Sequence, residues 1–81
     1  MQHQPKQSVA EQDAMIDIGI LYMLLGPDQR PWSIEEITRD IGDHLKVADS
    51  LARLYGAGLI HCLDDFVWAS RAAVIGEDRR L

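Results

Sequence analysis

The stretch LYGAGLIHCLDDFVWAS, residues 54–70, decides how this chain folds. Gly58 closes a helical pattern, because a glycine just past the last periodic residue adopts the left-handed turn that ends a helix. Two short apolar runs follow, Leu59–Leu63 and Phe66–Ala69, with Asp64-Asp65 between them. Runs of four or five apolar residues around a two-residue polar turn read as a β-hairpin. Asp tolerates positive φ better than most residues, so Asp-Asp is an acceptable turn, though Asn-Gly would be better.

Upstream, WSIEEI (32–37) has the signature of a helix start. Ser33 can accept from the backbone N–H of Glu36 while the Glu36 side chain accepts from the Ser33 N–H, forming a capping box. Trp32 and Ile37 then occupy the positions of a hydrophobic staple, and Trp32 is placed to add a very short strand. This helix ends at Ile41, where Gly42 supplies the turn, and Asp43 caps a third helix reaching Tyr55 or Gly56. The first helix runs from about Ala10 to Leu25 and stops at Gly26-Pro27. A last short helix, capped by Ser70, spans about residues 71–80. Residues 1–9, Gln-rich with Pro5, read as a flexible N-terminal arm, leaving 10–81 as a single domain without repeats. The predicted class is α+β, mostly α.

The order helix, short strand, helix, helix, hairpin, helix resembles the winged helix-turn-helix of bacterial transcriptional regulators. The residues that carry the likeness are Ile37 and Ile41 before Gly42, then Val47, Leu51 and Leu54, then Ala57-Gly58-Leu59-Ile60. With the hairpin as the wing, the resemblance covers about residues 33–70. One departure is that the spacing from Gly42 to Gly58 is about one residue tighter than the regulator pattern, which shortens the turn between the helices. The resemblance implies that the third helix enters the DNA major groove, with His44, Lys46, Asp49, Ser50 and Arg53 toward it. Lys46 and Arg53 would contact guanine or phosphate and Ser50 a phosphate, while His61 stands where family members carry Arg or Lys.

Composition bounds these expectations. Eighty-one residues make one small domain, and 47% apolar residues are enough for a core. Cys62 is the only cysteine, which excludes an internal disulfide and fits a reducing, cytoplasmic setting. The longest apolar stretch, Met15–Leu25, is 11 residues and contains Asp17, too short for a membrane span. No enzyme chemistry is legible. His61 and Cys62 are strand neighbours pointing to opposite faces, so Cys62 reads as a small core residue. His3, His44 and His61 lack metal-ligand spacing, and no phosphate-binding glycine loop precedes a helix. No cofactor or metal is expected.

Charge counts against DNA without excluding it, because a basic patch can sit on an acidic protein. Thirteen acids against eight bases give −5 overall. Between Ser33 and Ser70 the acids are Glu35, Glu36, Asp40, Asp43, Asp49, Asp64 and Asp65, whereas the bases are only Arg39, Lys46 and Arg53. Because neutralised phosphates supply most non-specific affinity, the chain should bind duplex DNA weakly at best. The expected function is a non-enzymatic, transcriptional-regulator-like DNA-binding module with weak electrostatic support, and the alternative is a protein–protein interaction module on a winged-helix scaffold that does not bind DNA.

The first helix predicts a partner. Ala14, Met15, Ile18, Leu21, Tyr22 and Leu25 form a broad apolar face, while Asp13 and Asp17 begin an opposite stripe that Ile20 and Leu24 continue. A helix apolar on nearly all sides needs cover on more than one side. Ile16, Ile20, Met23 and Leu24 are therefore candidate contacts for the chain's own last helix (through Ala72, Ile75 and Leu81), for a second copy in a homodimer, or for another protein. In the third helix, Leu45, Ala48, Leu51, Ala52 and Tyr55 share an apolar face flanked by Val47 and Leu54, and Lys46, Asp49, Ser50 and Arg53 form the opposite stripe.

Overall fold

The computed structural model describes residues 8–27 and 29–78. Seven elements follow one another: α1 (Val9–Leu24), β1 (Trp32–Ser33), α2 (Ile34–Ile41), α3 (His44–Gly56), β2 (Ile60–Leu63), β3 (Phe66–Ala69) and α4 (Arg71–Asp78). Their order agrees with the sequence reading, and the fold is α+β with helix predominating. Most of the arm expected over residues 1–9, together with residues 79–81, which include the end of the expected last helix, lies outside the described residues.

The helix boundaries follow from side chains that satisfy free backbone donors. Ser33 and Glu36 form the capping box at α2, with bonds of 3.0 and 2.9 Å. A second box, missed in the sequence, begins α1 one residue earlier than expected: Ser8 and Glu11 bond reciprocally at 3.1 and 2.9 Å. Gly42 ends α2 at φ 91°, and only Gly42 and Asp43 separate it from α3. At the end of α3, Leu59 N–H donates to the Leu54 carbonyl and Gly58 N–H to that of Tyr55, both at 3.0 Å, the Schellman pattern, with Gly58 at φ 75°. The end of α1 differs from expectation. Gly26 is not left-handed, and Gln29, at φ 46°, carries the positive φ of that loop.

The three strands form one antiparallel sheet in the order β1-β3-β2. In the hairpin Leu63 pairs with Phe66 and His61 with Trp68, leaving Asp64-Asp65 as a two-residue turn. Only Asp64 of the two has positive φ, at 54°. Ile34 N–H donates to the Asp65 carbonyl at 2.8 Å, tying the turn to the start of α2. Ser70 joins the hairpin's far end to α4: its hydroxyl donates to the Gly58 carbonyl at 2.7 Å and accepts from Ala73 N–H at 3.2 Å.

The helices α1, α2 and α3 pack on one face of this sheet. The core joins Ile20 and Leu24 of α1, Ile37 of α2, Val47, Leu51 and Leu54 of α3, Ile60 of β2 and Val67 of β3. Each fully buried branched side chain contributes roughly 1.5–3 kcal/mol.

The buried faces of two helices are turned relative to the apolar faces read from the sequence. On α1 the stripe Asp13, Asp17, Ile20, Leu24 faces inward, whereas Ile18 and Tyr22 stay about half exposed. On α3 Val47, Ser50, Leu51 and Leu54 are buried, and Leu45 and Tyr55 are 67% and 60% exposed. Ile20 and Leu24 of α1 meet Val47, Leu51 and Leu54 of α3 in the core, and beside them an ion-pair contact joins the acids of α1 to Lys46 and Arg53 of α3.

Candidate nucleic-acid interface

Asp13 and Asp17 lie one turn apart near the start of α1, and Lys46, Ser50 and Arg53 recur at helical spacing along α3. Packing of the two helices brings the five together. Arg53 donates from Nε and Nη2 to the two oxygens of Asp17 at 3.0 and 2.8 Å, a fork that fits a carboxylate. The Ser50 hydroxyl, with no exposure to solvent, donates a short hydrogen bond to the same carboxylate. Asp13 lies 3.7 Å from Lys46 Nζ and 3.7 Å from Arg53 Nη1. Partial burial opposes ionisation of Asp17, but the hydrogen bonds from Arg53 and Ser50 and the charge of Arg53 outweigh it. The Asp17 carboxyl therefore titrates below its ordinary value. In return, the Asp17 hydrogen bond raises the pKa of Arg53.

The six residues expected to meet DNA do not form one surface, and Asp49 among them is an exposed acid of α3. Lys46, Ser50 and Arg53 stand on the α1 side of α3, and Ser50 is buried. His44 is exposed at the opposite edge, lining a groove of about 450 Å³ with Ile34, Thr38, Ala48, Ala52 and Cys62. His61 lies on the outer face of the sheet against Trp68, with ring centroids 5.9 Å apart. Four residues were predicted to lie at an interface. Ile20 and Leu24 are buried in the chain's own core, and Ile16 and Met23 are half-buried against it.

The hairpin carries its own surface. Leu63 and Phe66 are exposed beside Trp68, with Arg30, Pro31 and Asp64 completing a groove of about 480 Å³. Arg30 stacks 4.2 Å from the Trp32 ring centroid and reaches both carboxylate oxygens of Glu36 at 3.2 Å. The Arg30 bonds, with the backbone bond from Ser33, hold the Glu36 carboxyl below its ordinary range. Sequence reading missed Arg30, Asp13 and Asp17 as partners. The available signal was Asp17 itself, since a carboxylate inside an apolar helical run requires a cation or donors beside it.

Four of the described cations are paired within the chain: Arg30 with Glu36, Arg39 with Glu35 at 3.4 Å, Lys46 with Asp13, and Arg53 with Asp17. Among the described residues only Arg71 is a cation without an ion pair, whereas Asp40, Asp43, Asp49, Asp64 and Asp65 are acids without one. The surface that α3 and the hairpin present is apolar and acidic.

Cys62 is exposed rather than part of the core, because β2 lies at the sheet edge. It shares the α3 groove with His44, yet partial burial of its sulfur pushes the thiol pKa up, the reverse of what an activated nucleophile needs. Among the described residues no group of three or more His, Cys, Asp or Glu is placed to hold a metal ion, and no helix is long and apolar enough to cross a membrane. No protein-family model, curated protein or solved structure matches the chain.

Proposed function

We propose that this chain is a non-enzymatic winged-helix module that acts by binding another protein through the face formed by α3 and the hairpin wing. The winged-helix assignment rests on the element order and on the hairpin joined to β1 in one antiparallel sheet, while the short turn between α2 and α3 departs from the regulator pattern. The observation that carries the functional reading is the engagement of Lys46 and Arg53 by Asp13 and Asp17. They are the only Lys or Arg residues on α3, and a recognition helix would need them for phosphate and guanine. The wing offers no substitute, since its tip is Asp64-Asp65.

A second reading, a DNA-binding transcriptional regulator, is favoured by one feature. The contacts of Asp13 with Lys46 and Arg53 are long, and both cations keep about a third of their side-chain surface exposed, so phosphate could compete for them. Titration of the protein into labelled random-sequence duplex DNA across a salt series separates the two. The interaction module binds more weakly than the roughly 10⁻⁴ to 10⁻⁶ M typical of non-specific DNA binding. Micromolar binding that is salt-sensitive and lost in a Lys46→Ala, Arg53→Ala double variant would establish the regulator instead.

In either reading we place a second copy, forming a homodimer, on the outward face of α1. Ile18 and Tyr22 are exposed there in an apolar groove shared by α1 and α4 through Ala72 and Gly76.

A further inference from the structure

We infer that the groove between α3 and the hairpin is a docking site for a cationic amphipathic helix of another protein. The inference deepens the interaction-module reading and rests on it.

Three observations converge on this occupant. The first is shape. Ala48 and Ala52 stand one turn apart on the outer side of α3, between the longer exposed Leu45 and Tyr55. Small side chains at i and i+4 leave a trough into which the ridge of another helix can settle. From His44 to Tyr55 the trough runs about 16 Å, at 1.5 Å per residue, which matches about three turns of a partner helix.

The second is chemistry. The walls are apolar: Ile34 of α2, Leu51 of α3 and Cys62 of β2 enclose the groove, with Thr38 and His44 at its polar margin. Such a surface takes a helix through anchors at i, i+3, i+4 and i+7.

The third is charge. Along α3, Asp43 at its cap and Asp49 beside Ala48 have no ion pair, although Asp49 adds to the field on Arg53; Lys46 and Arg53 are held by α1, and the chain as a whole carries −5. The partner's flanking residues are therefore Lys and Arg. A second copy seated on this groove through its own α3 face would set Asp43 and Asp49 against the same acids, and DNA would set like charge against like more strongly.

The test is a display library of helical peptides with a randomised apolar stripe, half with Lys/Arg flanks and half with Asp/Glu flanks, selected on the whole protein. Winners should come from the cationic half and bind at least about tenfold more tightly than their Asp/Glu-flanked counterparts, a difference that shrinks as salt screens it. Amide shifts on adding the best peptide should cluster at Thr38, Ala48, Ala52 and Cys62. The exposed Ala52→Arg should weaken binding at least about tenfold, since it places bulk and like charge in the trough. No winners, winners mainly from the acidic half, or shifts centred on Ile18, Tyr22 and Ala72 would each overturn the inference. Duplex DNA shifting the same groove amides at micromolar concentration would instead overturn the interaction-module reading beneath it. A failed selection with no DNA response would leave that reading standing and remove only this occupant.

Discussion

Arg53 of α3 grips Asp17 of α1 with two hydrogen bonds, and Ser50, one turn earlier on α3, donates to the same carboxylate from a buried position. This contact lies beside the apolar packing of Ile20 and Leu24 on Val47, Leu51 and Leu54. Together they hold α3 with its cations against the domain and its alanines outward, the opposite of what a DNA-reading helix requires. If Asp13 and Asp17 mask Lys46 and Arg53, removing the acids should unmask them. We predict that Asp13→Asn, Asp17→Asn raises affinity for random duplex DNA several-fold. The salt dependence should steepen by roughly two units of log–log slope, one per released cation. Unchanged anisotropy titrations would mean that these cations do not face DNA even when freed.

The same carboxylate sets an acid limit on stability. Because Asp17 titrates below its ordinary value of 3.8 in the folded chain, its ionised form stabilises the fold fully above that pH. The contribution declines as pH falls below 3.8 and is gone once the folded carboxyl is protonated. Asp17→Ala should cost about 1–2 kcal/mol at neutral pH, toward the lower end for a charged hydrogen-bond group because the pair is partly solvated. Chemical denaturation at pH 7 and pH 3 should show the gap between parent and variant narrowing in acid. An equal gap at both would detach stability from this ionisation.

Capping at α2 combines Ser33, Glu36 and Arg30 in one bonded group. Ser33→Ala should destabilise the domain by roughly 0.5–2 kcal/mol through loss of the bond to Glu36 N–H. Urea unfolding with an unchanged slope and an earlier midpoint is the expected result, and an unmoved midpoint would show the cap to be redundant.

Substitutions on α1 separate the core from an intermolecular face. Ile20 has no solvent exposure within a single chain, so Ile20→Glu should unfold the protein rather than split a dimer, since it buries an unpaired charge. Tyr22, half exposed on the outward face, should accept Glu without loss of fold, and Tyr22→Glu should shift the mass by light scattering from two chains to one. A monomeric parent chain would remove the dimer. A folded Ile20→Glu variant would contradict the packing of α1.

Local signals wrote much of this fold into the sequence. The Ser33–Glu36 box, Gly42, Asp43, Gly58 and the Asp64-Asp65 turn each act through neighbours within a few residues, so their geometry could be read from spacing alone. Ser8 and Glu11 obey the same rule and were equally legible. The direction each helix faces was not. Helical periodicity separates apolar from polar stripes, but which stripe turns inward depends on the partner across the interface. Here an acidic stripe on α1 meets a basic stripe on α3, and opposite charges 36 residues apart in sequence leave no local pattern. Pairing with α1 holds Lys46 and Arg53 against the domain, and burial removes Ser50 from the surface. The result is an apolar trough beside unpaired acids, set by tertiary structure because charge complementarity and burial exist only once distant segments meet.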